Sequence, residues 1–237
     1  MDTKPVTSTK AGRISIRIII TVLIFLAAVG LFALIANEMV LENENNLDKE
    51  VFNGLASITT PSTTRWMVFI TFFGSSYFLM PAYVLLMGFF FFYKKERSIT
   101  MDIAAFSIVS TILLFTLKAI FHRHRPLDPI VKNVNGFSFP SGHSFSSFTF
   151  FGLLIYIIWN IGGVRNDVRW LFTILFTLLA CAVALSRVYL HVHYASDVIA
   201  GVCLCIVWLL TSFWVFNKLR KNRHTWLQIL FRIFCHL

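Results

Sequence analysis

The sequence predicts an all-α membrane protein with six transmembrane helices. Three observations predict it. Only 14% of the 237 residues are charged, whereas soluble domains carry about 25%. The mean hydropathy is +0.74. Apolar runs follow one another along the chain, each near the roughly 20 residues that cross a bilayer, and most of the 26 phenylalanines fall within them. The runs place spans at about 18–40, 66–93, 103–121, 143–161, 170–190 and 194–216. The first run is longer than the apolar region of a secretory signal and no A-x-A site follows it, so it reads as a retained helix. The fourth requires its helix to begin before Phe145, just after a Pro-Ser-Gly turn.

The net charge of +10 is confined to short segments between the runs. That distribution fits membrane orientation and leaves no soluble basic surface for nucleic acid. Lys4, Lys10, Arg13 and Arg17 precede the first span. Lys94, Lys95 and Arg97 follow the second, Arg165 and Arg169 the fourth, and Lys218, Arg220, Lys221 and Arg223 the sixth. These segments alternate with the others, which predicts that both termini are cytoplasmic. The loop after span one is acidic, with Glu42, Glu44, Asp48 and Glu50 against Lys49 and Arg65, and is expected outside. Within it Leu47, Val51, Leu55 and Ile58 recur at helical spacing. This reads as a short interfacial helix or, failing that, a solvated connector. Cys181, Cys203, Cys205 and Cys235 form no CxxC pattern and read as small apolar residues. No repeat or linker divides the chain, so residues 1–237 are expected to form one domain.

The two remaining outer loops depart from the charge pattern. One carries His122, Arg123, His124, Arg125 and Lys132, with Lys118 just inside the membrane; the other carries Arg187, His191, His193 and Asp197. Ionisable groups at membrane depth point to function. Lys118 and Arg125 are seven apart, two helical turns, and share a face if the helix continues, although Pro126 biases the chain out of helix. A lysine and an arginine so placed suit an oxyanion. Pro140-Ser141-Gly142-His143 opens span four. A helix N-terminus there offers free N–H groups to an anion; Gly142 permits close approach, Ser141 caps the helix or donates its hydroxyl, and His143 stands on the first turn. His193 and Asp197 are four apart, hence on one helical face. A carboxylate there fixes the imidazole tautomer and leaves the other nitrogen free to attack. Arg187 adds a third cation.

In order and without substitution, Lys118 to Arg125-Pro126, Pro140-Ser141-Gly142-His143, and Ser186-Arg187 to His193 to Asp197 match a family signature, K-x6-R-P, P-S-G-H and S-R-x5-H-x3-D. The chain resembles the type 2 phosphatidic acid phosphatase superfamily, the membrane relatives of the vanadium haloperoxidases. The resemblance implies a six-helix core and a lipid phosphatase. It implies His193 as the nucleophile forming a phosphohistidine, Asp197 orienting it, and His143 protonating the leaving oxygen and then activating water. Lys118, Arg125 and Arg187 would hold the phosphoryl oxygens, aided by Ser141 and backbone N–H groups near Gly142. His191 is not the nucleophile by motif spacing. It reads, with His122 and His124, as an interfacial or pocket-rim side chain, and Arg123 and Lys132 as attractors of anionic headgroups.

No metal and no cofactor are expected. Asp128 and Asp197 are the only carboxylates in those two loops, and two alternating histidines without a third ligand make a poor zinc site. A cation-lined pocket also predicts inhibition by vanadate. The expected partners are a lipid phosphate and the bilayer, with undecaprenyl diphosphate placed ahead of phosphatidylglycerophosphate and phosphatidic acid. A lipid A phosphatase, a lipid phosphotransferase, and a non-catalytic binder or transporter are the competing readings. Neither the lipid nor the oligomeric state is selected by the sequence.

Overall fold

The computed structural model describes residues 10–41, 46–131 and 134–234, with side chains over 16–38, 40, 46–131 and 134–218. The expectations on Lys4, Glu42, Glu44, Lys132 and Cys235 lie outside the described residues, and those on the side chains of Lys10, Arg13, Arg220, Lys221 and Arg223 lie outside the described side chains. The described chain is helical: α1 (Lys10–Ile35), α2 (Asn46–Ala56), α3 (Pro61–Phe72), α4 (Ser76–Gly88), α5 (Arg97–Phe121), α6 (Gly142–Asn160), α7 (Asn166–Tyr189) and α8 (Ala195–Phe234). Turns of π-helix extend α1 to Leu41 and α4 to Tyr93. Among the described residues six stretches are long and apolar enough to cross a membrane: Ile16–Glu38, Pro61–Tyr93, Arg97–Phe121, Gly142–Asn160, Asn166–Tyr189 and Ala195–Lys218. The chain is a multi-pass membrane protein whose six expected spans are all present.

Helices α6, α7 and α8 pack on one another, α1 lies along α8, and α3 lies along α7. The second span differs from expectation, because it is two helices. Helix α3 starts at a capping box, Thr60 with Thr63, with Pro61 in its first turn, and stops at Phe73-Gly74-Ser75 before α4 begins. A Cβ on Gly74 would run into Val183 of α7 and lie 3.4 Å from His143 Cβ. The glycine therefore brings this turn against α6 and α7, a use that uniform hydropathy conceals.

Helix α2 forms where the helical spacing places it, and one face of it is docked on the bundle. Val51, Phe52 and Leu55 pack against Val188, Ala195 and Val198, and Asp48 is 1% exposed. Leu47 and Ile58, expected on the apolar face, are exposed.

Candidate active site

At one end of the bundle the loops after α5 and α7 meet the N-terminus of α6. Helix α5 ends at Phe121 because His122 adopts a left-handed conformation (φ 47°), its N–H donating to the Lys118 carbonyl at 3.2 Å. Lys118 and Arg125 therefore do not share a helical face, contrary to the spacing argument. They converge because the loop folds back over α5. Lys118 Nζ donates to the Phe137 carbonyl at 2.7 Å. Arg125 donates to the Gly136 carbonyl at 2.9 Å, the Asn135 carbonyl at 3.1 Å and the Val192 carbonyl at 2.8 Å. The guanidinium ties the two loops together.

Lys118, Arg125, Gly142, His143, Arg187 and His193 line one cavity of about 910 Å³. Arg187 Nη1 donates to Thr71 Oγ1 at 2.7 Å, and its Nε is buried with no hydrogen-bond partner. An unsatisfied buried donor calls for an acceptor, and a bound oxyanion would supply one. Away from these groups the wall is mostly apolar. It runs between α4, with Leu79, Val84 and Met87, and α5, with Ile108, Ile112 and Phe115. The hydroxyls of Ser107, Ser110 and Thr111 on this wall bond to carbonyls of their own helix.

His193 is 2% exposed. It lies in the turn before α8, so its relation to Asp197 is made at a helix N-terminus and not along a helical face. Asp197 stands at the third position of α8 and accepts the Tyr194 N–H at 3.0 Å, as a carboxylate there does when it closes a cap. The same oxygen, Oδ2, accepts a short hydrogen bond from the Ser138 hydroxyl and lies 3.5 Å from His193 Nδ1. Ser138 Oγ is 3.3 Å from Nδ1. Since the Ser138 proton goes to Asp197, its oxygen is left to accept from Nδ1–H. Arg125 Nη1 is 3.2 Å from Nε2, and a guanidinium only donates. Both neighbours assign the proton to Nδ1 and the lone pair to Nε2, the nitrogen facing the cavity cations. Burial pushes the His193 pKa down to about 4; Asp197 opposes the shift and Arg125 and Arg187 add to it.

Ser141 occupies the N-cap position of α6, its N–H donating to the Asp197 carbonyl at 3.0 Å. Its hydroxyl neither caps the helix nor reaches the cavity. It pairs with Ser144 Oγ at 2.9 Å. His122 and His124 are exposed. His191 packs on Phe52, ring centroids 4.4 Å apart, and lines no part of the cavity. Arg123 corrects the headgroup expectation. It is 7% exposed and donates to Asp197 Oδ1 and Asp48 Oδ2. Ser138, Thr71 and Asp48 had no signal in the sequence, since each joins the site only through tertiary contact. Among the described residues no three His, Cys, Asp or Glu side chains gather in a way that would hold a metal ion.

Phosphatidylglycerophosphatase B of Bacillus subtilis (strain 168) is 29% identical over 157 residues, 66% of this chain and 77% of that one. An undecaprenyl-diphosphatase of Sulfolobus acidocaldarius is 28% identical over 158 residues, 63% of this chain and 65% of that one. The crystal structure of a transmembrane PAP2-type phosphatidylglycerolphosphate phosphatase from Bacillus subtilis superposes with a TM-score of 0.74 at 26% identity, covering 82% of this chain and 96% of that one. The PAP2 superfamily pattern matches residues 99–221, slightly more than half of the chain and inclusive of all three motifs; the chain belongs to the PAP2 superfamily.

Proposed function

We propose that the protein is a membrane lipid phosphatase working through a phosphohistidine and without a metal, with residues 1–237 serving as one catalytic unit. One observation carries the reading. Three cations and two imidazoles converge at one end of a cavity whose remaining wall is a mostly apolar groove between α4 and α5. From Lys118 to Ser107 that groove follows eleven residues of α5, roughly 16 Å at 1.5 Å per residue and about half of a 30 Å hydrocarbon core. A phosphate at the polar end leaves room for its lipid chain along the groove.

Lys118, Arg125 and Arg187 bind the phosphoryl oxygens, Arg125 exchanging its contact with His193 Nε2 for one with the substrate. Nε2 attacks phosphorus, the bond to the leaving oxygen breaks, and His143 gives that oxygen a proton. His143 then takes a proton from water, whose oxygen displaces Nε2 and releases phosphate. Gly142 keeps the α6 N-terminus open to the anion, while Ser141 acts through the backbone. Asp197 orients His193. Undecaprenyl diphosphate and phosphatidylglycerophosphate are the preferred substrates, consistent with the activities named for the relatives, and phosphatidic acid is a third. The test is phosphate release from these three lipids in detergent with EDTA present. Turnover of at least one at an undiminished rate is expected. Loss of all activity on chelation, restored by a divalent metal, would refute the metal-free reading.

A nucleophilic imidazole must be neutral. With the His193 pKa pushed down to about 4, its neutral form persists as pH falls below 6.5, and kcat/KM should keep an acid limb near pH 4, falling as pH drops through it. A limb near 6.5 that disappears with the histidine would show that His193 is not desolvated as described.

The alternation of basic segments supports placing both termini in the cytoplasm and the cavity end outside. Leu127 is 95% exposed in the loop after α5. A Leu127→Cys variant should react with an impermeant maleimide on intact cells, and labelling only after lysis would invert the orientation.

A further inference from the structure

Helix α2 is not one of the six spans and contributes no side chain to the cavity, yet it carries one of the most deeply buried charges among the described residues. Asp48, 1% exposed, accepts the Ser196 N–H at 2.9 Å on Oδ1, and on Oδ2 the Ser196 hydroxyl at 2.7 Å and Arg123 Nη2 at 2.9 Å. Arg123 Nη1 reaches Ser196 Oγ and Asp197 Oδ1, each at 2.7 Å. The guanidinium carbon lies 4.1 Å from the centre of the Tyr194 ring. One cation thus stands between two carboxylates from different helices, and all three are nearly inaccessible to solvent.

Val51, Phe52 and Leu55 also pack α2 on the bundle, and buried ion pairs are often replaceable by well-packed apolar side chains with little loss of stability. The placement of these charges has a directional consequence. By drawing one end of the guanidinium fork, Asp48 leaves Arg123 a single-point contact with Asp197, at Oδ1. Oδ2 is left for Ser138, the Tyr194 N–H and His193. Without Asp48 the fork is drawn toward two-point pairing with Asp197, which turns Oδ2 away from the imidazole.

We propose that Asp48 is a positioning residue for the transfer reaction, acting through Arg123 and Ser196 to set the Asp197 carboxylate and, through it, the tautomer of His193. The proposal rests on the reading of His193 as nucleophile.

The experiment uses the full-length protein in detergent and phosphatidylglycerophosphate or undecaprenyl diphosphate, whichever it hydrolyses. Asp48→Asn keeps the shape and one acceptor for Ser196. It is expected to lower kcat roughly tenfold or more, the scale seen when an outer partner of a metal-bound histidine is removed, with KM within about threefold of wild type. The 15N signals of His193, identified by their loss in His193→Ala, should move from a single Nδ1–H form toward a mixture of tautomers. Thr63→Val serves as the control: it loosens the bond to Tyr189 on the same end of the bundle, away from the Asp197 network, and should lower the melting temperature without the drop in kcat or the change in tautomer. An Asp48→Asn protein with kcat within twofold of wild type and an unchanged His193 signal overturns the proposal, as does a Thr63→Val protein that loses as much turnover. If Asp48→Asn fails to fold, Ser196→Ala decides. It retains all three charges and should lose about threefold or more in kcat at unchanged KM; unaltered turnover there counts against the proposal. His193→Ala separates the two readings, because a His193→Ala enzyme that still turns over refutes the nucleophile itself, whereas an inactive one beside a normal Asp48→Asn enzyme refutes only the positioning role.

Discussion

Replacing His193 by alanine is expected to reduce kcat by about 10⁴ or more, the scale seen when the attacking group of a covalent mechanism is removed, while KM stays within a few-fold of wild type. The asymmetry follows from the cavity. Lys118, Arg125 and Arg187 line it independently of the imidazole. Arg125 keeps carbonyl partners at Gly136, Asn135 and Val192 after the ring is gone. The phosphate site and the apolar groove therefore survive, and binding with them. The group that forms a bond to phosphorus in the proposed mechanism does not. Quenching the wild-type reaction with ³²P-labelled substrate in base should trap an acid-labile label on the protein, and the alanine variant should trap none. Turnover within tenfold of wild type would reject His193 as nucleophile. Retained label with lost turnover would reassign it to the second half of the reaction. Vanadate should inhibit the wild type by occupying the same phosphate site.

The divide between what the sequence disclosed and what it concealed has a physical origin. The six spans were legible because burial in lipid demands a long apolar run at every crossing. The motif residues were legible because a site built from cations, an imidazole pair and a helix N-terminus needs unusual residue types in places where apolar ones are the default. Breaks and tertiary pairings were not legible. The interruption at Gly74 lies in an apolar stretch, and the residues it packs against, Val183 and His143, are far along the chain. The agreement between Lys118 and Arg125 was foreseen for the wrong reason: the helix ends at Phe121, and a fold-back of residues 134–138 restores their convergence. The same limit explains Arg123 and Asp48. One sits between two exposed histidines and the other in an acidic loop, and neither position hints at burial. Only when α2 docks on α7 and α8 does Asp48 find its partners 75 and 148 residues away.

Asp197→Asn should be almost as damaging as removal of the proposed nucleophile, and for two separable reasons. The side chain is 0% exposed and each of its oxygens has a defined donor: Arg123 on Oδ1, and Ser138 and the Tyr194 N–H on Oδ2. An asparagine of the same shape must place its NH₂ on one of the two sides. Facing Arg123, it sets donor against donor. Facing Ser138, Tyr194 N–H and His193, it drives the imidazole proton from Nδ1 to Nε2 and so covers the attacking lone pair. The second arrangement sets the NH₂ against the Tyr194 N–H but leaves the charged Arg123 with a carbonyl acceptor, and a charged donor is the more costly one to leave unpaired, so the wrong tautomer is the expected outcome. An Asp-to-Asn change with this effect on a catalytic histidine costs about 10⁴ in kcat in a serine protease, and ~10³ to 10⁴ is expected here. Stability should fall as well, because Arg123 loses one of its two carboxylates. Breaking a buried pair costs about 3–5 kcal/mol, and the remaining contacts to Asp48 and Ser196 favour the lower end. The two effects part on measurement. A melting curve in detergent reports the loss of stability, and kcat measured well below the melting temperature, on protein that elutes as the wild type does, reports the tautomer. A well-folded Asp197→Asn enzyme with kcat within tenfold of wild type would show that the His193 ring is oriented without this carboxylate, and the hydrogen bond that Ser138 Oγ accepts from Nδ1–H would then be the contact to remove next.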